Sequence, residues 1–156
     1  MLDYYRPGVG IMLFNQQGLV FTGMRIDMPG AWQMPQGGVD VDEKPIEAAI
    51  RELEEEIGTS KVKMIVESAD WHYYDVPKEI AERLWHGKWY GQKQKWFLAE
   101  FAGTDEDINI HTSHPEFQSW RWSTLEELVA NIVEFKRPLY VAVIKEFAPI
   151  LEERGF

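Results

Sequence analysis

The chain has 156 residues, the length of one compact domain, and its 45% apolar and 13% aromatic content excludes a disordered protein. It has no cysteine, which excludes a disulfide framework and a thiolate metal site. A formal net charge of −10 excludes non-specific nucleic-acid binding through a broad basic face, but not recognition of a phosphorylated end by a metal and a few local cations.

The first ten residues show no basic-then-apolar signal segment, and no stretch is apolar for long enough to cross a bilayer, so a cytoplasmic protein with no membrane contact is expected. Val9 to Phe14 and Leu19 to Met24 read as short strands joined by a turn at Asn15 to Gly18. After the Gly37-Gly38 turn, Pro45 to Ile57 reads as a helix. Pro45 suits its first turn, Asp42 and Glu43 complement the dipole, and Gly58 ends it. Val62 to Glu67 and Trp71 to Val76 follow as strands, and Pro77 to Trp85 as a short helix. Trp96 to Phe101 is apolar on both faces, as a buried central strand would be. Phe117 to Trp122 is another strand, and Ser123 to Glu126 resembles a capping box opening a helix to Ile132. Pro138 to Leu151 is a last amphipathic helix, with Pro149 expected to end it early. With no repeat or linker, this order fits a mixed sheet between helices.

The helix at Pro45 to Ile57 carries the chemistry. On a helical wheel Ile46, Ala49, Ile50, Leu53 and Ile57 form an apolar stripe. Glu52, Glu55 and Glu56, at i, i+3 and i+4, share a second stripe with Ala48. Two charges about 6 Å apart repel by roughly 0.7 kcal/mol in water and about 3 kcal/mol at an effective dielectric near 20. No lysine at i+4 neutralises these glutamates. Such a cluster suits a divalent cation, and Mg2+, which prefers oxygen ligands and bridges carboxylates to phosphates, is the expected one, with Mn2+ an alternative. Against this stands the ordinary solvated Glu-rich surface helix.

Residues 37–58 resemble the Nudix box, G-x5-E-x7-R-E-U-x-E-E-x-G-U with U aliphatic. Gly37, Glu43, Arg51, Glu52, Leu53, Glu55, Glu56 and Gly58 match, and Thr59 stands where an aliphatic residue is usual. Pro35-Gln36-Gly37-Gly38 before the box, then Gly91 to Phe97, Pro115 to Phe117, Trp120 to Trp122, and Phe135 to Arg137 with Tyr140, are similar to the bacterial RNA pyrophosphohydrolases and dinucleoside polyphosphate hydrolases. Gln36 between Pro35 and Gly37 sets the chain apart from the branch that sanitises mononucleotides. The resemblance covers about Tyr5 to Phe147. It implies one Nudix hydrolase domain over residues 1–156 and an α/β/α sandwich, a mixed β-sheet between helices.

The resemblance also implies metal-dependent hydrolysis of a phosphoanhydride. The substrate would be a nucleotide: a 5′-triphosphorylated RNA end losing pyrophosphate, or a dinucleoside polyphosphate such as diadenosine tetraphosphate. The alternative class is a catalytically silent nucleotide-binding module. A carbonyl of Gly37 would join Glu52, Glu55 and Glu56 as a metal ligand, and Glu52 or Glu56 would ligate or take a proton. Glu116, a late carboxylate, is a further ligand or general base. Arg51 would orient a box carboxylate, and Glu43 would steady the loop. Arg6, Arg25, Lys93, Lys95, Lys136 and Arg137 are candidate phosphate or ribose contacts. The resemblance favours Gln92 with Lys93, and Phe135 stacking on a base beside Lys136 on a phosphate. Tyr74 is a weaker candidate at the same pocket. Trp32, Trp96, Trp120 and Trp122 are expected in the core, and the four histidines form no zinc pattern.

Overall fold

The computed structural model describes residues 4–156; Met1, Leu2 and Asp3, where the stretch lacking a signal segment begins, lie outside the described residues. Strands β1 (Tyr5–Phe14), β2 (Val20–Arg25), β3 (Trp32–Gln33) and β4 (Gln36–Gly38) precede helix α1 (Pro45–Ile57). Then come β5 (Val62–Glu67), β6 (His72–Asp75), α2 (Lys78–Trp85), β7 (Gly91–Phe101), β8 (Phe117–Ser123), α3 (Leu125–Asn131) and α4 (Arg137–Glu153). The strands form one eight-stranded mixed sheet in the order β3-β2-β1-β7-β5, with β4 also on β1, β6 on β7 and β8 on β2. β1 and β7 run parallel from Tyr5 beside Gly91 to Phe14 beside Glu100.

Alternation along these two central strands builds a core on each face. Val9, Ile11, Leu13, Phe97, Ala99 and Phe101 pack under α1. Met12, Phe14, Trp96 and Leu98 pack with Met34 under α3 and α4, where Tyr140, Val143 and Phe147 are buried. These two packed faces make the α/β/α sandwich.

α1 is rotated from the phase its isoleucines suggest. Ile46 and Ile50 are each 40% exposed, and the buried face is Ala48, Ala49, Leu53, Glu56 and Ile57. Alanines let the helix lie close to the sheet, and that approach drives a carboxylate into the interior. Gly58 closes the helix in the left-handed region at φ 72°. The following Thr59 is buried, its hydroxyl accepting the Lys61 N–H at 3.0 Å. The capping box of α3 sits one residue later than expected: Thr124 Oγ1 accepts the Glu127 N–H and Glu127 accepts the Thr124 N–H. α4 also runs through Pro149 to Glu153, because one lost N–H is offset by burial of Leu151.

β1 and β7 begin four and five residues before their apolar runs, at Tyr5 and Gly91. These first strand residues bring Arg6 and Gln92 to a cavity at the polar end of the sheet, with Gln94 buried on the same face.

Candidate active site

The cavity, about 290 Å3, opens between the β4 turn, α1, α2 and the start of α4. Gly37, Glu52, Glu55, Glu56 and Glu116 line it, as do Arg6, Arg25, Tyr74, Gln92, Phe135 and Lys136. Lys93 does not. Side chains alternate along β7, so Gln92 and Gln94 turn toward the cavity side while Lys93 turns away, its Nζ 5.3 Å from the Trp71 ring centre. Lys95 likewise lies by Trp71 and Glu67, and Arg137 bonds the Val129 carbonyl and Glu134.

Arg51 organises the acidic ridge. Its guanidinium holds Glu43 through two bonds of 2.9 Å, the Gly38 carbonyl at 2.9 Å, Glu52 at 2.8 Å and Glu55 at 3.3 Å. Hydrogen bonding to Arg51 pulls Glu43 down to about 2, so it stays ionised and ties the Gly38 turn to the helix. With no side chain at Gly37, the Glu52 carboxylate lies against the backbone, in the space a Cβ would take. Gly38 is packed likewise by the Arg6 guanidinium.

Glu52 and Glu56 are held differently from Glu43. Burial pushes Glu52 up to about 7, Arg51 opposing and the charges of Glu55 and Glu116 adding. Glu56 is 3% exposed, and burial, then Glu52 and Glu116, raise it well above the ordinary range; its Oε2 accepts only one backbone bond, the Gln36 N–H at 3.1 Å. Glu116 leans on Arg25, Oε2 to Nη2 3.5 Å, while Arg25 also grips Asp27 through bonds of 2.7 and 2.8 Å.

On the opposite wall Lys136 is buried between two carboxamides, Nζ lying 3.3 Å from Gln33 Oε1 and 3.2 Å from Gln36 Oε1. Burial, then the charge of Arg25, brings its ammonium down to about 7. Its Nζ lies 5.7 Å from the Tyr74 ring centre, and that ring stacks on Phe135 with centroids 6.4 Å apart. Tyr74 accepts a bond from Gln92 Nε2 at 2.9 Å. Among the described residues, Gln33 Nε2 and Gln92 Oε1 are buried with no protein partner, a donor and an acceptor at the cavity.

The sequence does not mark Gln33 as a site residue, and it marks Gln36 only as a feature of the branch, not as a wall of the cavity. The available signal was two carboxamides flanking Met34-Pro35, in a stretch where Trp32 and Met34 would otherwise continue into apolar core.

The donor set suits a hard divalent cation. It is entirely oxygen, its carboxylates lie close enough to raise one another's pKa, and a missing side chain at Gly37 brings backbone against Glu52. Among the described residues no three acidic or histidine side chains already converge on one point. Guanidinium groups occupy the carboxylates instead, Arg51 on Glu52 and Glu55 and Arg25 on Glu116.

The NUDIX domain family matches residues 4–143, and the chain belongs to that family. It is 55% identical over 151 residues to the RNA pyrophosphohydrolase of Wolbachia sp. subsp. Drosophila simulans (strain wRi), covering 96% of this chain and 93% of that protein. It is 56% identical over 144 residues to the RNA pyrophosphohydrolase of Rhodospirillum rubrum, covering 92% and 87%. In fold it is similar to the E. coli dihydroneopterin triphosphate pyrophosphohydrolase, with a TM-score of 0.68 at 18% identity over 88% of this chain and 95% of that one. A C. elegans Ap4A hydrolase in a binary complex gives a TM-score of 0.65 at 21% identity over 91% and 98%.

Proposed function

We propose that this chain is a divalent-metal-dependent hydrolase that removes pyrophosphate from 5′-triphosphorylated RNA ends and also cleaves dinucleoside polyphosphates. The observation that carries it is the pairing, across one cavity, of the buried Glu52–Glu56 ridge with Arg25 and Lys136. Similarity to RNA pyrophosphohydrolases over nearly the whole chain supports the RNA preference.

Gly37, Glu52, Glu55, Glu56 and Glu116 would hold the cation, Mg2+ in the first place and Mn2+ as a substitute. When bound, it supplies positive charge against the phosphate chain and makes a neighbouring water more acidic. Arg25 and Lys136 hold non-bridging phosphate oxygens, and Gln33 Nε2 and Gln92 Oε1 offer unused bonds to the nucleotide. The Tyr74–Phe135 pair presents an aromatic edge for a base. With the cation holding them ionised, Glu52 or Glu56 would accept the proton of the attacking water, and Glu116 is a further carboxylate on the cavity for that role. Among the described residues no helix is long and apolar enough to cross a membrane, and the cytoplasm is the proposed place of action.

Assaying triphosphorylated RNA and diadenosine tetraphosphate on one preparation, each with magnesium and with manganese, tests the reading. A higher kcat/KM for RNA is expected. A large excess for diadenosine tetraphosphate would reverse the order, and binding of several nucleotides without turnover would mark a silent module.

A further inference from the structure

The wall that α2 gives the cavity continues into a second hollow of about 340 Å3. Val76 lines both spaces. Trp85, on the cavity wall, meets Trp89 edge to face with ring centres 5.9 Å apart, and Trp89 and Tyr90 line the second hollow. Tyr90 is 56% exposed and stacks on Tyr4 at 4.8 Å, so these rings are not simply filling the core. Leu84 beside them is 49% exposed.

Two lysines border this apolar strip. Lys88 Nζ lies 4.6 Å from the centre of the Trp89 ring, and Lys78 borders the hollow. Of the five Lys or Arg residues from Lys78 to Lys95, Lys78 and Lys88 stand here, Arg83 lines the cavity, and Lys93 and Lys95 lie by Trp71. Two carboxylates also border the hollow: Asp75, which accepts the Tyr5 hydroxyl, and Glu82, which lies against Gly87. Exposed rings interleaved with ammonium groups have the chemistry that grips a single strand, the bases stacking and the backbone meeting the cations.

We propose that Trp89 and Tyr90, with Lys78 and Lys88, form a ledge that holds a base and a phosphodiester of single-stranded RNA downstream of the 5′ end reacting in the cavity. The inference rests on reading the cavity as an RNA 5′-end site and adds a contact to the next nucleotides of the strand. A dinucleoside polyphosphate has no downstream phosphodiester to offer the ledge, so the ledge favours RNA.

The test compares kcat/KM for a triphosphorylated, unpaired octanucleotide with that for a triphosphorylated dinucleotide. In the unmodified protein the longer RNA is favoured by about tenfold, the scale of one base stacked on an aromatic ring. In Trp89→Ala and in Lys88→Glu that ratio falls toward one. Lys88 is exposed, so its variant carries the test if Trp89→Ala fails to fold, with thermal melting as the check. Equal rates for the two RNAs in the unmodified protein, or an unchanged ratio in both folded variants, would overturn the ledge alone. Hydrolysis of diadenosine tetraphosphate with neither RNA turned over would overturn the reading of the cavity, and the ledge with it.

Discussion

Glu56 and Lys136 are buried and Glu52 is half-buried, and what each contributes to stability depends on pH. Glu52, raised to about 7 by burial, and Glu56, raised well above its ordinary value, keep their protons in the folded chain above the pH at which a free glutamate releases them. From about pH 4.5 to about 7 the folded state therefore binds more protons than the unfolded state, and metal-free stability falls as pH rises. Lys136, lowered to about 7, works in the opposite sense, and only above that pH. Melting in a chelator should thus move down from about pH 5 to about pH 7, and saturating magnesium should flatten the slope by holding the carboxylates ionised. A metal-free melting temperature that rises across this window would contradict the assignment. Lys136→Ala removes the cation proposed to meet phosphate and should act mainly on KM. An unchanged KM for both RNA and diadenosine tetraphosphate would take Lys136 out of the site.

At the level of elements, the site depends on how α4 seats the β3–β4 strands. Tyr140 Oη accepts the buried Met34 N–H at 2.8 Å, fixing the backbone between Gln33 and Gln36. Tyr140→Phe leaves that N–H unpaired, at a cost of about 1–3 kcal/mol, or roughly 2–4 °C of melting temperature per kcal/mol for a chain of this size. An unaltered melting temperature would show that the bond contributes nothing.

The box helix was legible in sequence because its residues sit at fixed spacing on one continuous segment. Its phase was not, since periodicity ranks Ile46 and Ile50 above Ala48, whereas close packing against a sheet selects the small residue. The pairing of Lys136 with Gln33 and Gln36 joins positions about a hundred residues apart, beyond the reach of local pattern. Lys93 lies off the cavity for a related reason. Which face of β7 reaches the cavity is set by its register against β1 and β6, and adjacent residues on a strand part to opposite faces.

Across the whole molecule, a strongly acidic protein concentrates the cations Arg6, Arg25 and Lys136 in one cavity and places the carboxylate ridge of α1 opposite them. The surplus negative surface discourages casual nucleic-acid binding, and the proposed substrate, bringing phosphates together with a divalent ion, would balance the cavity. Turnover of an RNA labelled in its 5′-triphosphate, with and without chelator, by the unmodified protein and by Glu56→Gln, tests that balance most directly. Monophosphorylated RNA should form with magnesium or manganese, disappear with chelator, and form at least about a hundredfold more slowly with Glu56→Gln, whose metal-free melting temperature should be unchanged or higher. Undiminished turnover in chelator, or by Glu56→Gln, would contradict the account.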